Sequence, residues 1–288
     1  MCVTCGCNER ADVRVEGEHE HVLADGTRVR HGHHDHHHGP DHGHDDGHDH
    51  DHAGAHTHSH AAYRKEAPAE LVALETALLG KNQRIADRNR SAFASAGIVA
   101  LNLMSSPGSG KTTLLVRTLH DLAGEIPMSV VEGDQETSAD ADRIRATGAR
   151  AVQINTGAGC HLEADMLERA VQQLAPAAHS VLFIENVGNL VCPALFDLGE
   201  RARIVVLSVT EGDDKPLKYP HMFRSAQLMI TTKMDLAPHV SFDVAKAERN
   251  ARSVNPTIRS LRVSGTSGEG LEAWYGWLRS MLKLEAFA

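Results

Sequence analysis

The stretch Ser105-Ser106-Pro107-Gly108-Ser109-Gly110-Lys111-Thr112 narrows the folds open to this 288-residue chain more than any other. It follows an apolar run at 98–104 and precedes a helix-like run at 113–122. A strand, a glycine-containing loop, Lys-Thr and then a helix make up the arrangement of a phosphate-binding P-loop. Gly108 and Gly110 let successive backbone N–H groups turn inward onto an anion. The helix that follows adds its positive N-terminal end. Pro107, Gly108, Ser109, Gly110, Lys111, Thr112 and Thr113 are then the phosphate-binding residues. Lys111 reaches the β- and γ-phosphates, and the Thr112 hydroxyl is placed for Mg²⁺. Ser105 stands where the usual pattern has its first glycine.

Around this loop the chain alternates strand and helix, as in a doubly wound α/β fold. Runs rich in Val, Ile and Leu at 98–104, 128–133, 150–155, 180–186, 203–209, 227–232 and 258–263 read as seven strands. Their near-continuous apolar character belongs to strands covered on both faces. Helices are expected at 113–122, 138–147, 162–174, about 220–226, 242–253 and 271–285. The last carries Leu271, Trp274, Trp277, Leu278 and Leu282 as a core stripe. The expectation is a mostly parallel seven-stranded sheet over residues 97–288, with helices on both faces. Ahead of it, 67–96 shows helical spacing through Leu71, Leu74, Leu78, Leu79, Ile85 and Phe93. Pro68 stands at its first turn, and Gly80 is a candidate break into two helices.

Three strand ends bring chemistry to the phosphate loop. The second ends in Glu132-Gly133-Asp134-Gln135, where Asp134 is the first choice for a Mg²⁺ contact, direct or through water. The fourth ends in Glu185-Asn186-Val187-Gly188, an acid followed three residues on by glycine. Such an acid addresses metal or water, and such a glycine N–H senses the γ-phosphate. Lys111, Asp134, Glu185 and Gly188 are therefore the residues expected to carry the chemistry. The sixth ends in Thr231-Thr232-Lys233-Met234-Asp235. A carboxylate at Asp235 accepts both the ring N–H and the exocyclic amine of guanine, which adenine does not offer. The Lys233 stem lies over the loop that holds the ring, and Ser264 and Gly265 supply backbone N–H groups to the base carbonyl. Thr232 takes the place of the usual Asn. The nucleotide expected is GTP.

The remaining signals concern metal and compartment. The net charge is −9, with 13 acidic and 6 basic residues among the first 66, so the body is nearly neutral and gives no footprint for nucleic acid. No run of 18 apolar residues occurs, so no membrane span is expected. The N-terminus has cysteines in place of a secretory leader, and the expected location is cytoplasmic. Cys2, Cys5 and Cys7, with Gly6 between the last two, put three soft ligands within reach of one ion over residues 1–18. A fourth ligand is left to the α-amino group, a side chain or water. Residues 19–60 hold 16 of the 21 histidines, among them His31, His33, His34, His36, His37 and His38. Residues 19–66 have too little apolar content to offset the entropy of ordering and are expected to be disordered, with several weak, exchangeable Ni²⁺, Zn²⁺ or Cu²⁺ ions on neutral imidazoles. Two cysteines remain. Cys160, with His161 beside it, and Cys192, four residues beyond Gly188, suit Zn²⁺ or Ni²⁺. Three ligands are a short count for one ion, which suggests a site shared across a two-fold dimer.

These residues together resemble the hydrogenase nickel-incorporation GTPases, P-loop accessory proteins that help load nickel into [NiFe]-hydrogenase. The resemblance rests on the N-terminal cysteine cluster, the histidine tract, the loop at 105–112 and the segments 132–137, 155–161, 185–193, 211–220 and 232–235. It covers essentially the whole chain. It implies a tight nickel site on the N-terminal thiols and a nucleotide-responsive metal site at Cys160, His161 and Cys192 near a dimer interface. It also implies GTP-dependent homodimerisation, a small zinc-containing nickel chaperone as partner, and the hydrogenase large subunit as recipient. Thr232 and the pair Gly265-Thr266 depart from the commoner Asn and Ala-Lys. The expected protein is a slow GTPase acting as a nickel metallochaperone. A nickel-storage protein, the nickel GTPase of urease maturation and a metabolic kinase are the alternatives.

Overall fold

The computed structural model describes residues 20–22, 28–30, 69–135, 139–157 and 159–285. Two units emerge, residues 12–67 and the body from Pro68 onward. In the first, β1 (Glu20–Val22) pairs antiparallel with β2 (Arg28–Arg30), Val22 facing Arg28. The pair uses the last Val-containing stretches before the histidine-dense sequence begins, where β-prone side chains are still present.

The body opens with α1 (Ala69–Ser95), a single helix that runs through Gly80 without the expected break. One glycine costs a helix interior only about 1 kcal/mol, and packing of the C-terminal half outweighs that. From Asn82 onward the helix is tied down. Asn82 Nδ2 donates to Asp197 O (2.7 Å) and Asn89 Nδ2 to Ala164 O (2.9 Å). Ile85, Ala86 and Phe93 are buried, whereas Leu78 and Leu79, expected on the buried face, are about 40% exposed.

Seven strands follow: β3 (Val99–Ser105), β4 (Met128–Asp134), β5 (Arg150–Asn155), β6 (Val181–Glu185), β7 (Ala202–Ser208), β8 (Leu228–Thr232) and β9 (Arg259–Arg262). They form one sheet in the order β5-β4-β6-β3-β7-β8-β9, every pair parallel. Alternate residues of β3 explain the two-faced cover. Val99, Leu101 and Leu103 face α2 (Lys111–Asp121), α3 (Ala139–Arg145) and α8 (Leu271–Glu285), with Trp274 at the centre. Ala100 joins α1 and α4 (Ala164–Leu174) on the other face. Met104 there meets the cluster formed with α6 (Pro220–Ser225) and α7 (Val244–Val254). Of the α8 stripe, Leu271, Trp274 and Leu278 are buried and Trp277 and Leu282 partly so.

A short helix the sequence reading lacked, α5 (Lys215–Lys218), precedes α6, and a 3-10 turn (Met234–His239) follows β8. The chain leaves β3 for one side of the sheet and later returns to the other. Ligands bind such folds in the crevice at the carboxyl ends of the strands, where the order reverses. Here the loop after β3 occupies that crevice.

Candidate nucleotide and metal sites

Gly110 caps α2 in the left-handed region (φ 93°), a conformation glycine adopts without a Cβ penalty. That turn starts the helix at Lys111, two residues earlier than expected, and directs Lys111 back over the loop. Its Nζ donates to Ser105 Oγ (2.8 Å), which also accepts from the Ser109 hydroxyl (2.6 Å). The serine in place of the usual glycine thus lies wholly buried beneath the loop. Burial lowers the pKa of Lys111, opposed by the charges of Glu185, Asp140, Glu132 and Glu211.

The Thr112 hydroxyl meets Glu185 Oε1 at 2.7 Å and Asp140 Oδ2 at 2.9 Å. Asp134 lines the same cavity of about 460 Å³, and its Oδ1 accepts from Gln135 N (2.7 Å). Glu132 Oε2 and Glu185 Oε2 are buried without a hydrogen-bond partner. Burial pushes the Glu132 carboxyl up to about 8, helped by the charges of Glu185, Asp134 and Asp140. Burial also raises Glu185, against the pull of Lys111 and the Thr112 hydroxyl. Carboxylates short of partners around a threonine hydroxyl are a donor set that fits Mg²⁺. Thr112, Glu185, Asp140 and Asp134 are the residues that would hold it, and the ion would neutralise developing phosphate charge.

The residues expected at the base line an adjoining hollow, formed by Gly110, Thr113, Thr232, Lys233, Asp235, Gly265 and Thr266 among others. Thr232 Oγ1 donates to Ser109 O (2.6 Å), and Lys233 Nζ donates to Gly108 O (2.8 Å). Lys233 holds φ 58°, an uncommon conformation for a side-chain-bearing residue that lays its stem along Gly110. Asp235 Oδ1 accepts from the Ser264 hydroxyl (2.5 Å), whose oxygen in turn accepts from the N–H groups of Thr266 and Ser267.

Behind β6 the chain reaches the thiols. Gly188 lies against Pro107, and Asn189 Oδ1 accepts from Val191 N (2.7 Å) and Cys192 N (3.4 Å) to shape the turn that carries Cys192. Cys160, His161 and Cys192 are all buried, with ligand atoms within 4.8 Å of one another. His161 stacks on Phe196 at 3.9 Å, and its Nε2 is buried with no hydrogen-bond partner. Burial lowers the imidazole to about 4, so it is neutral and able to ligate at pH 7. Two thiols and an imidazole suit Zn²⁺ or Ni²⁺ and leave further coordination positions open.

The sequence missed Asp140, which shares the Thr112 hydroxyl with Glu185. It also missed Arg143, which lines the phosphate cavity and donates to Thr113 Oγ1 (3.3 Å). Both lie on α3, where helical spacing alone carries no sign of a ligand. The nickel candidates Cys2, Cys5 and Cys7 and the histidines His31, His33, His34, His36, His37 and His38 lie outside the described residues.

Fold and site together define a P-loop nucleotide-binding protein in which a Cys/His cluster able to hold a metal ion is built from Cys160, His161 and Cys192. The family described as CobW/HypB/UreG, nucleotide-binding domain, matches residues 99–262. A hydrogenase maturation factor HypB from Rhizobium leguminosarum bv. viciae is 59% identical over 208 residues, 72% of this chain and 70% of that one. HypB from Azotobacter chroococcum mcd 1 is 49% identical over 289 residues, 96% and 92% of the two chains. The crystal structure of HypB from Helicobacter pylori in complex with nickel superposes with a TM-score of 0.66 at 41% identity, covering 70% of this chain and 95% of that one. The chain belongs to the CobW/HypB/UreG family and, within it, to the HypB hydrogenase maturation factors.

Proposed function

We propose that the chain is a GTP-hydrolysing nickel metallochaperone of [NiFe]-hydrogenase maturation whose nucleotide state sets the geometry of its buried metal site. The carrying observation is the continuity of one short segment. Gly188 abuts Pro107 of the phosphate loop, and four residues later Cys192 completes the set with Cys160 and His161. Nickel is cargo here, with Zn²⁺ as competitor, and the nickel-bound Helicobacter relative supports that choice. Lys111 would neutralise the phosphates, while Glu185, whose Oε2 is buried without a hydrogen-bond partner, and Asp134 would hold Mg²⁺ and orient water. Asp235 selects guanine. GTP-dependent pairing of two copies, a zinc-containing nickel chaperone and the hydrogenase large subunit are the partners that this reading requires.

Any coupling is reciprocal: if GTP weakens nickel binding, nickel weakens GTP binding by the same factor. The test is nickel titration of a full-length variant lacking Cys2, Cys5 and Cys7 in its apo, GDP and GTP-analogue forms. The expected result is a difference of about 5- to 150-fold between the two nucleotide forms, absent in Cys192→Ala. Equal affinities, with metal bound at Cys160, would refute the switch and leave a storage role.

A further inference from the structure

The two arms that carry the metal ligands meet at one side chain. Asn186 follows Glu185 at the end of β6 and is 1% exposed. Its Oδ1 accepts from Leu162 N at 3.2 Å and from Val187 N at 3.0 Å. Leu162 directly follows Cys160 and His161. Val187 opens the path through Gly188 to Cys192. One carbonyl oxygen therefore holds both arms.

The orientation of that amide is fixed from behind. Asn186 Nδ2 donates to Asn102 Oδ1 (3.3 Å), because Asn102 Nδ2 is committed to the Glu200 carboxylate (3.2 Å), which accepts only. Leu162 is also wedged from the side: a Cβ on Gly133 would stand 2.8 Å from Leu162 Cδ2. The first arm thus sits between Gly133 and Asn186, the immediate neighbours of Asp134 and Glu185. Movement of residues 187–192 against the phosphate loop would strain the Val187 N–H bond to Oδ1, and a shift of that oxygen would draw the Leu162 N–H with it, because a buried N–H left without an acceptor is costly.

We propose that Asn186 is the positioning residue through which the nucleotide state reaches Cys160 and His161, so that all three ligands respond together and not Cys192 alone. The inference rests on the switch described under Proposed function. Its test uses the full chain with Cys2, Cys5 and Cys7 replaced by serine. Nickel affinity is read in competition with a chelator through the sulfur-to-nickel charge-transfer band, to which the histidine tract is silent. The parent is expected to differ by about 5- to 150-fold between its GDP and GTP-analogue forms.

Asn186→Ala, folded as judged by its melting transition, should bring that ratio within about twofold, well below the usual coupling range. Asn186→Asp, which in its protonated form keeps an oxygen toward both N–H groups and a donor toward Asn102 Oδ1, should restore at least part of it. An Ala variant that keeps the parent ratio overturns this inference and leaves the switch standing. A ratio of one in the parent overturns both. Should the Ala variant not fold, amide exchange of the parent decides. On exchanging GDP for the analogue, protection of Leu162 must change together with that of residues 187–192. A change confined to 187–192 overturns the inference.

Discussion

Gly188 lies against Pro107 so closely that a Cβ on it would stand 3.0 Å from both the Pro107 nitrogen and Cα. Backbone meets backbone between the loop after β6 and the phosphate loop, and neither contact atom can swing away as a flexible side chain would. A glycine is needed here for the approach itself. Gly188→Ala should therefore hold the two loops apart by a few tenths of an ångström. Overpacking of this kind costs about 1–3 kcal/mol, and under the proposed switch the cost falls on the GTP form. Calorimetric titration should show GTP-analogue affinity reduced by roughly tenfold, with GDP affinity changed much less. Equal losses for both nucleotides would count against γ-phosphate sensing at this residue.

Glu132 gives a pH dependence whose sign can be worked out. Its ordinary value of 4.5 rises to about 8 in the folded chain because of burial and neighbouring carboxylates. Between these values the native state holds a proton that the unfolded chain has released, so stability falls as pH rises through that window. Glu132→Gln removes its share of the slope; Glu185, also raised, keeps its own. Melting of the nucleotide-free protein should show the variant more stable above pH 8, by on the order of 5 °C, and indistinguishable near pH 4. Parallel curves for the two proteins would show that Glu132 titrates normally. A cation among these carboxylates should lower the Glu132 value, so the slope should flatten with Mg²⁺ and nucleotide.

The base site makes a prediction about selectivity. Asp235 is held by the Ser264 hydroxyl, and that oxygen collects the N–H groups of Thr266 and Ser267. One carboxylate therefore organises the turn at 264–267 through the Ser264 hydroxyl. Asp235→Asn should exchange preference from GTP to xanthosine triphosphate, because an amide donates where xanthine presents a carbonyl. A bidentate pair lost and remade shifts preference by about 1–3 kcal/mol per base edge. Competition measurements in which ATP displaces GTP from the wild type as well as GTP itself does would refute guanine selection.

The sheet was legible because each of its strands is buried on both faces, and a run such as Val-Leu-Phe-Ile at 181–184 has no other stable use. The phosphate loop and the Thr232–Lys233–Asp235 group were legible because their chemistry constrains residue type at fixed spacing. Leu78 and Leu79 misled because periodicity reports a helix's apolar stripe but not how far the neighbouring α4 extends along it. Gly80 misled because a single glycine only weakens a helix. Asp140 and Arg143 were invisible because their role comes from the approach of α3 to α2, a tertiary fact that α3's own sequence does not encode. Asn186 carries no signal in the sequence, because its bond from Leu162 N exists only once the 160–162 arm has folded against it.

Arg143 carries the last prediction. Its guanidinium donates to Asp140 Oδ1 at 3.1 Å and to Thr113 Oγ1 at 3.3 Å, on the wall of the phosphate cavity. Asp140 at the same time accepts from the Thr112 hydroxyl (2.9 Å). One carboxylate thus bridges an arginine to the Thr112 hydroxyl of the phosphate loop. A nucleotide phosphate entering the cavity brings an anion to this cation, and a charge-assisted hydrogen bond of that kind is worth about 1.5–3 kcal/mol before screening. The Arg143 side chain is 50% exposed, so the lower part of that range applies. Arg143→Ala should weaken GTP and GDP binding alike by roughly tenfold at low salt, the gap from wild type narrowing as ionic strength rises. Arg143→Lys should recover only part of it, since an ammonium cannot hold Thr113, Asp140 and phosphate in one plane as a guanidinium does. Nucleotide titrations at two salt concentrations decide the matter. Unchanged affinity in the alanine variant at low salt would make Arg143 a brace for α3 and nothing more.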